Sequence, residues 1–229
     1  LVPMTLSVSD ALRQRISTRA FLDTPVSEDQ VRSLLELASR APSGGNLQPW
    51  QVHVVAGEAR QRVIDAVKAS QAEHFKGEPE LEYRVYPKPL EEPWYSRRFA
   101  CGEAMYASIG IDREDKTGRL MQFARNFEFF GAPVGLFVSL HTSMQPGQWS
   151  DCGMFIQSFL LAAEEAGLAT CCQEFWAAFP KAVKGAVGIS DDYTLFCGIA
   201  LGHADPDAPI NTTRTARADV DEFARFEGF

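Results

Sequence analysis

The run Ala41-Pro-Ser-Gly-Gly-Asn-Leu-Gln-Pro-Trp50 decides the reading of this chain. Its ten residues hold two prolines and two glycines, with Ser43, Asn46 and Gln48 among them. Proline fixes φ and disfavours helix in the residue before it, while paired glycines allow backbone shapes that other residues avoid. Such a loop presents Ser43, Asn46 and bare peptide N–H groups to a flat polar ligand. Taken alone, it reads equally well as a helix-stop turn.

Upstream lies Arg15-Ile-Ser-Thr-Arg-Ala-Phe21. In an extended backbone Arg15, Ser17 and Arg19 share one side. Two guanidiniums and a hydroxyl on one side suit a phosphate monoester, which guanidiniums grip bidentately. By itself such a string is more simply a solvated basic face.

Composition narrows the partners. A length of 229 residues with 45% hydrophobic content permits one domain, spanning 1–229, with a full core. The net charge of −8 provides no general field for nucleic acid, so the arginines at 13, 15 and 19 point to a small phosphate ligand. Five cysteines (101, 152, 171, 172 and 197) lack Cys-x-x-Cys spacing, which argues against a disulfide framework or structural zinc and for a reducing, cytoplasmic setting. Met4 reads as the natural start, with no signal peptide, and no apolar run approaches the ~20 residues of a membrane helix. A soluble protein is expected.

The pattern along the chain predicts a helix over 10–16 and a second one opened by a Ser27/Gln30 capping box. The second helix carries Val31, Leu34, Leu35 and Ala38 on one face and stops at Ala41-Pro42. Residues 51–55 read as a strand and 58–69 as a helix. Between Lys76 and Arg98, four prolines interrupt Tyr83, Tyr86, Trp94 and Tyr95, a pattern that suits either a plain surface loop or a lid at a substrate entrance. Helices are expected near 97–111 and 115–130 and strands at 134–140, 168–172 and 195–201. Between the first two of these strands a buried central helix over 151–166 is terminated by Gly167. The end of the chain carries Val220, Phe223, Phe226 and Phe229, an apolar stripe that needs a partner surface.

Several chemistries are absent. There is no Gly-x-Gly-x-x-Gly, P-loop or Gly-x-Ser-x-Gly, and the histidines at 53, 74, 141 and 203 are scattered. Cys171 and Cys172 alternate faces in a strand and read as packed small residues. No protein-borne nucleophile or acid–base dyad is evident, which fits an enzyme whose cofactor carries the chemistry.

The order Arg15-Ile-Ser-Thr-Arg19, Pro25-Val26 and Ala41 to Trp50 resembles the nitroreductase family of flavoproteins. Further matches at Gly167 to Gln173, Gly198 to Gly202, and Asn211 to Arg217 extend the likeness over nearly the whole chain. Thr170-Cys-Cys-Gln173 and Gly202-His-Ala-Asp-Pro-Asp207 are most similar to its nitrobenzoate-reductase-like branch. The resemblance implies an α+β three-layer sandwich, with a mixed, mostly antiparallel sheet flanked by helices. It also implies a homodimer with exchanged termini, the 203–229 arm lying on the partner subunit. The implied activity is FMN-dependent reduction of nitroaromatic compounds to nitroso and hydroxylamine products by NADPH or NADH, with ping-pong kinetics. By the same resemblance Arg15, Ile16, Ser17, Arg19 and Arg217 bind the FMN phosphate and ribityl end. Pro42, Ser43, Gly44 and Asn46 reach the flavin from the other subunit, while Gln173 and Glu174 form the turn whose backbone faces its reactive edge, at N5 and the pyrimidine side. The family often has an acidic residue followed by glycine at that turn, and here the order is Gln-Glu-Phe. Relatives of the same fold remove halogen from aromatic rings, reduce enones or quinones, or fragment flavin. A non-catalytic flavin-binding protein is the remaining alternative.

Overall fold

A computed structural model describes residues 6–229; the reading of Met4 as the start lies outside them. The helices are α1 (Val8–Gln14), α2 (Glu28–Ala38), α3 (Gly57–Glu73), α4 (Trp94–Ser108), α5 (Lys116–Ala124), α6 (Pro146–Glu165), α7 (Pro180–Val187) and α8 (Val220–Phe223). The strands are β1 (Trp50–Ala56), β2 (Val134–His141), β3 (Ala169–Gln173) and β4 (Tyr193–Gly202), in the spatial order β1-β2-β4-β3. Every strand pair is antiparallel, and among the described residues the one parallel pairing is an isolated bridge from Ser17 to Thr170. The sheet is thus antiparallel throughout rather than mixed. Among the described residues no helix is long and apolar enough to cross a membrane.

Alternation along β2 and β4 splits the core in two. Leu136, Val138, Ile199 and Leu201 meet Val31, Leu34 and Ala38 of α2 and Phe155, Phe159 and Ala163 of α6. Phe137, Ala200 and Cys171 face the other way, toward Val63 and Val67 of α3 and Val183 of α7. Helices therefore cover both faces, and the three layers follow from the period of two. Cys171 and Cys172 fall on opposite faces, packed as expected.

Local signals set the helix ends. Ser27 and Gln30 form both bonds of the capping box on α2, and Gly167, at φ 72°, lies just past α6. Two expectations need correction. The helix expected over 115–130 ends at Ala124, and residues 125–131 form an irregular turn with Phe129 and Phe130 at φ 53° and 55°. That geometry drives both rings into the core, where burial outweighs the backbone strain. Helix α6 is buried on one side only, because Met154 is exposed.

Two glycines admit the large rings. A Cβ on Gly135 would lie 2.4 Å from Phe129, and one on Gly198 would lie 2.2 Å from Trp176. The Trp176 and Phe129 rings sit 4.4 Å apart above the sheet. Beside Gly198, the register of β2 and β4 shifts between Val138 and Ser139, so Phe196 bulges from the ladder. Its carbonyl is taken up by the Tyr83 hydroxyl.

The segment before α4 is fastened at its root. The buried Glu78 carboxylate accepts from the N–H groups of Lys181 (2.7 Å) and Ala182 (3.0 Å) at the start of α7, and from Ser70 Oγ (2.8 Å). Glu82 accepts from Leu195 N–H and pairs with Lys184 Nζ, each at 2.6 Å. Beyond Tyr83, Tyr86, Trp94 and Tyr95 are exposed. Replacing Glu78 by Ala leaves three donors without their anion, and should cost ~3 kcal/mol of stability. Urea unfolding at one fixed protein concentration reads this as a lowered midpoint; an unchanged midpoint would mean the carboxylate does not hold α7.

Candidate functional site

Helix α1 ends at Gln14, and the chain then runs extended along the edge of β3. Thr18 N–H donates to Thr170 O at 2.9 Å. Thr18 and Ala20 turn inward and are buried, while Arg15, Ser17 and Arg19 stay half-exposed, as the alternation predicted. Asn211 fixes the segment from the other end of the chain. Its Oδ1 accepts from Arg19 N–H at 2.9 Å, and its Nδ2 donates to Ala20 O and Asp205 O, both at 2.9 Å.

This clamp gathers Arg13, Arg15, Ser17, Arg19, Arg214 and Arg217 around one cavity of about 470 Å³. Arg13 bonds Asp10 at 3.4 Å. Among the described residues, Arg15, Arg19, Arg214 and Arg217 form no ion pair with a carboxylate. Arg19 and Arg217 instead donate to nearby backbone carbonyls, as Arg19 does to Ser17 O at 3.2 Å. Four guanidiniums held in no direct ion pair, with Glu164 the acidic group coupled to Arg15 and Arg214, make a local anion site in a chain of net charge −8. Charge alone groups Arg13 with Arg15 and Arg19 in the sequence; Arg214 was not expected, although its place in the Asn211-to-Arg217 string was a visible signal.

The cavity opens into a longer cleft. Arg19, Cys101 and Met105 also line a neighbouring space of about 510 Å³ beneath Tyr86 and Phe99. Tyr86, Arg98, Asn126 and Cys172 continue into a third space, of about 600 Å³, that reaches Gln173 and Glu174. Tyr86 and Arg98 thus bring the 76–98 segment to the cleft. Helices α4 and α5 are tied by Arg119 to Glu103 at 2.7 and 3.1 Å, which holds the Glu103 carboxyl below the usual range.

At the far end Gln173 is committed. It is 3% exposed; its Nε2 donates to Asn126 O and Oδ1, both at 3.1 Å, and its Oε1 accepts from Trp176 Nε1 at 3.2 Å. Only its backbone is left for a ligand. Glu174 lines the cleft, and burial pushes its carboxyl pKa up.

Within one chain, Pro42, Ser43, Gly44 and Asn46 do not line this cleft. They form an exposed turn in which Gly45 and Asn46 adopt φ 57° and 55°. Ser43 Oγ accepts from Gln48 N–H at 3.0 Å, and Gly44 N–H donates at 3.2 Å to Asp151 Oδ2. Asp151 is 5% exposed and anchors the loop to α6, a role no sequence signal marked.

The Nitroreductase family matches residues 12–203. A nitrobenzene nitroreductase of Ectopseudomonas oleovorans is 35% identical over 98% of this chain and 99% of its own. A 4-nitrobenzoate reductase of Pseudomonas putida is 34% identical over 94% of this chain and 93% of its own. The crystal structure of an FMN and NADPH-dependent nitroreductase, NfnB from Sphigopyxis sp. strain HMH, superposes with a TM-score of 0.95. It is 49% identical and covers 98% of this chain and 100% of its own.

Replacing Asp151 by Asn weakens a charge-assisted bond worth ~1.5–3 kcal/mol, so the Gly44 amide should exchange with solvent ~10- to 100-fold faster. Hydrogen-exchange mass spectrometry of the 41–50 peptide reads this directly. Equal exchange in both proteins would show that the loop is held by something else.

Proposed function

This chain belongs to the nitroreductase family, and we propose that it is an FMN-dependent NAD(P)H oxidoreductase that reduces aromatic nitro groups in two-electron steps. The observation that carries this reading is the unpaired arginine cluster at one end of a cleft floored by Cys172 to Glu174. The residues fit the cofactor: a phosphate answers the surplus positive charge, and a flat ring system answers the aromatic-walled space beyond it. When bound, FMN supplies the chemistry, taking two electrons from the nicotinamide and delivering them to the nitro group. The relatives' names favour nitro reduction over dehalogenation, enone reduction or flavin cleavage.

Each residue then has a task. Arg15, Ser17, Arg19 and Arg217 hold the phosphate, with Arg13 and Arg214 adding charge, and Ile16 lines the same end. The Gln173 and Glu174 backbone faces the reactive edge. Burial lets the Glu174 carboxyl keep its proton to higher pH than an ordinary carboxylate. Tyr86 and Arg98, at the entrance, contact the aromatic substrate.

The loop at Pro42, Ser43, Gly44 and Asn46 serves the cleft of a second copy in this reading. A homodimer is favoured by a separate observation: Val220, Phe223, Phe226 and Phe229 are 52%, 70%, 64% and 107% exposed. Arg97 pairs with Glu222 at 3.1 Å, which ties α8, where the stripe begins, to α4 and leaves Phe223, Phe226 and Phe229 free to lie on a partner. The five free cysteines suit a reducing cytoplasm.

Arg19→Ala and, separately, Arg217→Ala should each lose one charge-assisted phosphate contact, lowering FMN affinity ~10- to 100-fold with the fold intact. Flavin retention on a desalting column reads the loss, and wild-type retention would take these residues out of the site. Wild-type protein bleached anaerobically by NADPH and recoloured by 4-nitrobenzoate is the expected activity; yellow protein inert to nicotinamide would exclude it. Truncation after Asp219 removes three phenylalanines whose burial contributes ~1.5–3 kcal/mol each, so dimer and flavin should be lost together. A flavin-loaded monomer in sedimentation at micromolar concentration would refute the exchanged-arm dimer.

A further inference from the structure

A cavity of about 830 Å³, larger than any section of the cleft, lies between α3, α5, the 125–131 turn and the 174–178 segment. Its wall is apolar, built from Phe75, Leu120, Met121, Phe127, Phe175 and Phe179. The flavin reading makes no use of it. Its charged lining is Lys68, Lys76, Arg125 and Glu128. Lys68 pairs with Glu128 at 2.6 Å, and Arg125 donates to Phe130 O at 3.3 Å. Lys76 has no ion pair among the described residues. Three cations against one anion leave this lining net positive on a strongly acidic chain.

Size, wall and charge select one ligand class. Pockets of ~300–1,000 Å³ suit small organic ligands, and a wall rich in phenylalanine suits a flat ring. The uncompensated positive charge selects an anionic substituent. Phe75, Leu120, Met121 and Phe123 are 61%, 48%, 69% and 48% exposed, more contiguous apolar surface than a chain normally leaves bare. We propose that this cavity is a second binding site, for planar aromatic anions such as aryl carboxylates. Phe123, Phe175 and Ala178 line both this cavity and the cleft, so the two spaces share a wall. The Phe123 and Phe175 rings meet edge-on there, with centroids 5.6 Å apart. The site is an antechamber beside the cleft, and it does not depend on the flavin reading.

Photolabelling with 4-benzoylbenzoate tests this on the full-length protein, with and without added FMN. Under irradiation the excited ketone takes a hydrogen from a neighbouring C–H, and the two radicals join in one C–C bond. The expected result is saturable label on Leu120 or Met121, unchanged by FMN. Ala124 lines the cavity and is exposed, so Ala124→Trp should obstruct part of the space without disturbing the core and raise the half-saturating concentration for that label about 10-fold. Lys76→Gln should raise the half-saturating concentration by about 3-fold. Label confined to Tyr86 or Phe99 of the cleft would overturn the proposal. So would equal labelling by the neutral 4-benzoylbenzamide, unsaturable label across the surface, or no label because a second copy covers this face. Because the flavin-free protein is included, failure here and failure of the flavin reading give different results.

Discussion

The side chain of Asn211 holds the two ends of the chain in one place. One oxygen accepts from the Arg19 amide while one nitrogen donates to Ala20 and Asp205 carbonyls. Only a carboxamide can accept and donate in this way from adjacent atoms; an aspartate would present oxygen to the two carbonyls and repel them. The clamp lays residues 15–20 along β3 and brings Arg214 and Arg217 back beside them. Without it, like-charged guanidiniums would have every reason to spread apart.

Pre-arranging positive charge has a cost that the fold absorbs elsewhere. Trp176 fills the space above Gly198, and its indole N–H fixes Gln173, so the turn at the other end of the cleft cannot drift. The bulge at Phe196 belongs to the same arrangement. It frees a carbonyl for Tyr83, and the segment bearing Tyr86 and Arg98 is thereby attached next to the turn it faces. The geometry of the cleft is therefore set by packing and bulge rather than by the residues that would touch a ligand.

What could be read from sequence was whatever had a short-range cause. The capping box on α2, the stop at Gly167, the alternation of Arg15, Ser17 and Arg19, and the strand pattern of β2 and β4 all depend on neighbours within a few residues. The 115–130 helix was misjudged because Phe127, Phe129 and Phe130 look like a continuing apolar face, yet the core accepts them only from a left-handed turn. Asp151 was invisible because its partner, Gly44, is 107 residues away. The bonds that Asn126 and Trp176 make to the Gln173 side chain were equally invisible, because Asn126 is 47 residues away and Trp176 meets it only through the fold.

Glu78, Glu82 and Tyr83 fasten the irregular 74–93 segment at its root, while Tyr86, Trp94 and Tyr95 beyond them face solvent and the cleft. Anchorage and exposure thus fall to different residues of one segment. Mutations past Tyr83 can be sampled over generations with little penalty to stability, so this stretch can diversify while the anchored part is held by its contacts. The tip of this loop is where descendants of the chain would be expected to part company first.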